Sequence, residues 1–255
     1  SGEDVNHTFA GRTSGRVYAA FLVNVASSQP VGDYCFHFFD DAITPNTFRG
    51  RVFVKKEPAT QNYFFGLQFG ATANAIYTPI SYAAGTTHLV VLMYTFVSGA
   101  SNDQVALFVD PAIACGEPAA TLVTADPTQA DAVNLDGLAI RQGDASLAPT
   151  VQFDGIRVAM DWSGAMGCSN VTTSVIQPAG GSISPAGPVQ LLCGGSQTFT
   201  MAVNPCYALS DVRVDGVSVG PVTSYTLTNT DGLDHAIEAT FSNASTLTAT
   251  AGAGG

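Results

Sequence analysis

Residues 88–97 read HLVVLMYTFV, and the fold class turns on that run. It is apolar on both faces of an extended chain, which fits a central strand covered on both sides better than an edge strand. A buried helix of ten residues would leave a similar run. The β-branched and aromatic content, bounded by Gly85-Thr86 and Ser98-Gly99, favours the strand. The run 151–162, VQFDGIRVAMDW, alternates more cleanly: Ile156, Val158, Met160 and Trp162 point one way, Arg157, Ala159 and Asp161 the other. Further strand-like runs lie at 16–25, 33–39, 48–55, 63–69, 104–109 and 138–141.

Composition agrees with that reading. Of 255 residues, 26 are Gly and 13 Pro, and they punctuate the chain throughout. Abundant Val, Thr, Phe and Tyr with few Glu and Lys argue for strands over long helices. The 46% apolar content excludes intrinsic disorder. No apolar run approaches the 18 or so residues that cross a bilayer as a helix, so no direct membrane insertion is expected. Twenty acids against nine bases give a net charge of −11. A chain with two lysines cannot neutralise a run of phosphates, so nucleic acid is not an expected partner. The stretch before the first candidate strand has neither an initiator Met nor a basic-then-apolar leader, as expected of a mature or trimmed chain. Few lysines, many Thr and Asn, and cysteines placed in loops suit an oxidising, extracellular setting.

A boundary is expected after Trp162, where Ser163-Gly164-Ala165-Met166-Gly167 reads as a small-residue linker. Beyond it the strands shorten. Phe199, Met201 and Val203 alternate with Thr198, Thr200 and Ala202, and Ile237, Ala239 and Phe241 alternate with Glu238 and Thr240. Turn signals fall at Gly180-Gly181, Gly194-Gly195, Asp215-Gly216 and Asp231-Gly232. The expected class is therefore all-β: a sandwich over 1–163, a linker at 164–168, a smaller sandwich of immunoglobulin-like size over 169–243 and a tail at 244–255.

The segments YAAFLVNV from Tyr18, DYCFHFF, RGRVFVK, THLVVLMYTFVSGASNDQVALFVDP, LAIRQ and VQFDGIRVAMDW together resemble a laminin-G-like, concanavalin-type jelly roll found in secreted proteins of Bacteroidetes-type bacteria. The segments GGSISPAG, GGSQTFTMAVNP, DVRVDGVSVGPVTSYTLTN and HAIEATF resemble a divergent bacterial surface repeat related to internalin B-repeats. The first resemblance implies a jelly-roll sandwich that often carries a loop calcium. It also implies strands earlier than the SGEDVNHTF segment, so the first sheet is expected to lack an edge strand. The second implies a stalk or adhesive module at the cell surface.

The usual constellations of catalysis are not legible. The four glutamates (Glu3, Glu57, Glu117, Glu238) are isolated, and Asp154 and Asp161 fall on opposite strand faces, so no carboxylate dyad forms. His37 and His88 sit in apolar strands and read as satisfied core or surface residues. Hard oxygen ligands for calcium are sought at Asn102 and Asp103, in the turn before QVALFVDP, and then at Asp40 and Asp41. The competing reading is that these side chains cap turns by bonding local backbone. Sugar stacking would use aromatics in or near loops: Tyr63, Phe64, Phe65, Tyr77 and Tyr82. Each is weighed against a place in the core, and Trp162 reads as core. Asn6, Asn170 and Asn243 open glycosylation-type triplets.

Cys193 and Cys206 flank the single strand SQTFTMAVN and are expected to pair. Cys115 and Cys168, both in loops, are the second expected pair, with Cys35 left as a buried thiol. In the segment Thr246-Leu247-Thr248-Ala249-Thr250 polar and apolar residues alternate, the pattern of a short strand available to a neighbouring subunit. The expected function is that of a non-catalytic, secreted structural or adhesive protein that assembles with copies of itself. The alternative is a carbohydrate-binding module of a larger secreted hydrolase.

Overall fold

In the computed structural model, which describes residues 4–40, 47–144, 146–228 and 232–244, the chain divides into two compact units, 1–166 and 167–255. The first contains β1 (Val5–Arg12), β2 (Arg16–Ser27), β3 (Asp33–Asp40), β4 (Phe48–Lys56), β5 (Tyr63–Gln68), β6 (Ile76–Tyr77), β7 (Thr87–Thr95), β8 (Gln104–Val109), β9 (Leu122–Ala125), β10 (Leu135–Ile140) and β11 (Thr150–Ala159), then one helical turn, α1 (Trp162–Met166). Two sheets result, in the orders β1-β10-β3-β4-β5-β6 and β11-β2-β7-β8-β9. This is an all-β jelly-roll sandwich.

The opening run becomes β7, the middle strand of the five-stranded sheet. Val90, Leu92 and Tyr94 face the other sheet, where they join Phe21, Phe36, Phe38, Phe65 and Phe69 in the main core. Val91 and Met93 face outward, and are also buried, against Tyr18, Phe108, Trp162 and Ala165. Both faces are thus covered, as the run's composition demands.

Trp162 departs from expectation. The strand ends at Ala159, and Trp162 opens α1 instead of continuing the alternation of Ile156, Val158 and Met160. Asp161 is the cause: its Oδ1 accepts the backbone N–H of Gly164 at 2.7 Å, the N-cap bond that starts a helical turn. The indole then lies over the outer face of the five-stranded sheet and donates from Nε1 to the carbonyl of Ala114 at 2.9 Å. Of the residues expected to form a linker, those up to Met166 therefore belong to the first unit as part of this turn, and Gly167 and Cys168 belong to the second.

β1 was not legible as a strand, because only Phe9 of its eight residues is even half-buried. Phe9 packs edge-on against Phe38, with ring centroids 6.4 Å apart. β11 carries a bulge at Gly155, where φ is +61° and the register with β2 slips between Asp154 and Arg157. The slip lets Val151, Phe153, Val158 and Met160 all pack toward the main core.

The second unit contains β12 (Cys168–Ile176), β13 (Gly181–Ser184), β14 (Val189–Leu192), β15 (Ser196–Val203), β16 (Tyr207–Val214), β17 (Val217–Gly220), β18 (Ser224–Thr228) and β19 (His235–Asn243). Its sheets run β14-β12-β19-β16-β17 and β13-β15-β18. Phe199, Met201, Ile237, Ala239 and Phe241 form its core with Val171 and Val212. Val203, expected on the same face, is exposed at the end of β15.

The cysteines divide expectation. Cys115 and Cys168 are disulfide-bonded, and Cys35 is a buried thiol. Cys193 and Cys206 are not joined: both are thiols. Their position on either side of one strand is the reason. β15 has eight residues, and a strand of that length spans about 26 Å, far more than the roughly 7 Å a disulfide tolerates between Cα atoms. Burial also pushes the Cys35 thiol up to about 12, so it is inert near neutral pH. Alkylation of the native protein followed by non-reducing peptide mapping should label Cys193 and Cys206, spare Cys35 until denaturation, and recover a 115–168 linked peptide. A linked 193–206 peptide would contradict this arrangement.

Candidate functional site

Three places in the first unit gather the residues that chemistry would use. The first is the side of the sandwich where the outermost strands β1 and β11 lie. On the opposite side β9 packs across to β5 and β6, closing the core. Between β1, β10 and β11 there is instead an apolar groove of about 440 Å³, lined by Val5, Phe9, Leu138, Ile140, Ile156 and Val158 among others. Val5 is 65% exposed and Ile156 39%. Apolar residues on the inner side of a sandwich are normally covered by a partner strand. Here Leu138 at the floor is buried, while Val5 and Ile156 at the rim stand exposed.

The second place is the outer face of the six-stranded sheet. Tyr34, His37, Phe48, Arg51, Phe53 and Arg141 meet there. The guanidinium carbons of Arg141 and Arg51 lie 4.2 Å and 4.7 Å from the centre of the Tyr34 ring, within cation–π range on an otherwise acidic chain. Arg141 also donates to Asp33 at 2.7 Å. Toward the far edge, Lys55 Nζ lies 5.2 Å from the Tyr77 ring, and with Lys56, Pro58 and Phe64 these residues line a cleft of about 270 Å³. Gly66 makes that arrangement possible, because a Cβ there would meet the Tyr77 ring at 2.7 Å. Of the aromatics considered for sugar stacking, only Phe64 and Tyr77 face this cleft. Tyr63, Phe65 and Tyr82 belong to the core.

The third place is the turn before β8. Asp103 is 2% exposed. Its Oδ2 accepts the Tyr94 hydroxyl at 2.5 Å and its Oδ1 the Val97 N–H at 2.6 Å. Burial, together with this carboxylate, pushes the Tyr94 phenol up from its ordinary value. Asp131 Oδ1 in turn accepts the backbone N–H groups of Asn102 and Asp103 at 3.0 Å and 2.9 Å. Asp40 behaves alike, accepting Val133 and Asn134 N–H at 2.8 Å each. These carboxylates hold loops in place. Asp41 lies outside the described residues, as do Thr246, Leu247, Thr248, Ala249 and Thr250. Among the described residues no group of three or more His, Cys, Asp or Glu side chains converges as metal ligands would.

His37 and His88 are held by different contacts. His88 Nδ1 lies 2.6 Å from Asp110 Oδ2, and its ring packs beside Tyr63, Phe65 and Tyr82. His37 stacks on Phe48 with centroids 3.9 Å apart, and its Nδ1 donates to the Phe38 carbonyl at 2.9 Å. Asp154 and Asp161 serve local backbone, accepting Gly155 and Gly164 N–H respectively.

No family model matches the chain, and no curated protein does. Solved structures with a similar fold include a native heptameric SAP-like pentraxin from Limulus polyphemus, at 10% identity and a TM-score of 0.41 over 64% of this chain and 74% of that one. A tetrameric galectin from the ball sponge Cinachyrella sp. is similar at 6% identity and a TM-score of 0.37, over 61% and 99%. CG-16, a homodimeric agglutinin from chicken liver, is similar at 8% identity and a TM-score of 0.36, over 62% and 100%. The likeness is one of sandwich architecture.

Burial pushes His37 down to about 4, chiefly through desolvation, with Arg51 and Arg141 adding to the effect. Unfolded, the imidazole titrates near 6.5, so between pH 6.5 and 4 the unfolded chain binds one more proton than the folded one. Stability should therefore fall as pH is lowered through that window, by about 3 kcal/mol from this group. Chemical denaturation at pH 7, 5 and 4 checks it. His37→Phe should flatten the profile, and an unchanged slope in that variant would contradict the assignment.

Proposed function

We propose that the chain is a non-catalytic, extracellular structural and adhesive protein of a bacterium, and that it assembles with copies of itself through the first sandwich. The observation that carries this reading is the open groove between β1 and β11. Outermost strands of eight and ten residues present N–H and C=O groups that a further strand would satisfy. The apolar floor beneath them rewards whatever covers it. The disulfide between Cys115 and Cys168 suits an oxidising, extracellular compartment. By the chain-entropy model, a bridge closing a loop of about 50 residues stabilises the fold by about 4 kcal/mol.

A second reading is glycan binding by the same sandwich. It is favoured by the cleft of Phe64, Tyr77, Lys55 and Lys56, where a half-buried aromatic face lies beside hydrogen-bond donors.

Light scattering across a hundredfold concentration range, with negative-stain imaging of the same samples, separates the two. Assembly predicts growing, regular oligomers. Glycan binding alone predicts a monomer that retains specific sugars on an array and loses them in Tyr77→Ala. A monodisperse monomer at every concentration would contradict the assembly reading.

A further inference from the structure

The open side of the first sandwich has a shape, and one segment of this chain fits it. The groove is bordered by β1 from Val5 to Phe9 and by β11 at Ile156 and Val158, with Leu138 and Ile140 of β10 also lining it. Five residues of β1 correspond to about 17 Å of extended chain. Among the described residues, β2 is the one hydrogen-bonded neighbour of β11. The inward side chains of β11 are only partly covered.

Resting on the assembly reading above, we propose that the segment 245–255, STLTATAGAGG, of one copy inserts into this groove on a second copy as an added strand on the unpaired edge of β11. The alternation supports the choice. Leu247, Ala249, Ala251 and Ala253 fall on one face of an extended segment, and Thr246, Thr248 and Thr250 on the other. The apolar face would lie on Val5, Phe9, Ile140 and Val158, and the threonines would face water. The side chains are small, as a slot of about 440 Å³ between two sheets requires. Thr246 to Thr250 spans about 17 Å, the same length as the bordering part of β1.

Charge points the same way. Two copies each carrying −11 repel, so a contact between them is best made by surfaces without net negative charge. The segment 245–255 has no ionisable side chain. The groove lining contains no carboxylate, and His7 is its one titratable residue. A tail-to-groove contact is head-to-tail. It does not close on itself unless the rotation happens to, so repetition gives a filament.

The test uses the full chain and two single substitutions. Thr248→Pro spoils the donor, since proline cannot join a ladder. Ile156→Arg spoils the acceptor at a position that is 39% exposed. Each variant alone should associate at least tenfold more weakly than the parent, with an unchanged melting temperature. Mixed one to one, the proline chain supplies an intact groove and the arginine chain an intact tail, so the mixture should form a dimer that grows no further. The peptide STLTATAGAGG, added in excess, should dissolve parental assemblies, and its Thr248→Pro version should not.

Parental assembly that survives Thr248→Pro and ignores the peptide overturns the tail assignment while leaving self-assembly standing. A monomeric parent whose melting temperature drops in Thr248→Pro shows that the tail docks on its own chain, and overturns the proposal. A monomeric parent indifferent to both changes overturns the proposal together with the reading it rests on.

Discussion

Everything in the first sandwich depends on burying β7 on both faces. Its inner face meets the aromatic core shared with the six-stranded sheet. Its outer face, Val91 and Met93, would be an apolar stripe in water without a second layer. That layer is the turn of helix from Trp162, fixed by the Asp161 cap and by the indole bond to Ala114. The chain must therefore fold back over the five-stranded sheet after β11. A second sandwich then begins at Cys168. One buried strand thus dictates the lid and where the first unit ends.

The same arithmetic of faces explains the open side. A sandwich is sealed where outer strands of its two sheets pack across one another, as β9 does with β5 and β6. Between β1 and β11 the sheets part over an apolar floor. Exposed valine and isoleucine stand at that rim, at Val5 and Ile156, which is why the assembly proposed above is placed on the open side.

Much of this was legible from residues alone, for a stated reason. Strands buried on one or both faces write their pattern into the sequence, so β2, β3, β4, β5, β7 and β8 could be read, as could the alternations in β15 and β19. β1 could not, because an outermost strand with only Phe9 tucked inward carries no alternation. Trp162 was read as core, and it is buried. Its layer was misassigned because a capping aspartate three residues before a glycine competes with strand continuation, and alternation alone does not see that competition. The cysteines divide on the same ground. Spacing in the sequence does not say which ends meet, and only the eight-residue extent of β15 shows that Cys193 and Cys206 are held apart. The carboxylates of Asp40 and Asp103 were visible as candidates, but their partners come from loops distant in sequence. Only the fold shows that backbone N–H groups use them.

The central proposal is that the outer edge of β11, which has no strand partner among the described residues, is covered when copies meet. Hydrogen–deuterium exchange, read on peptides spanning β11 at high dilution and again at assembly concentration, tests it most directly. The account predicts that, within 154–159, the amides not bonded to β2 exchange fast in the dilute protein and at least tenfold slower in the assembled one, with β7 protected in both. Equal and strong protection of β11 at every concentration would mean that its edge is already covered within a single chain, and would contradict the account.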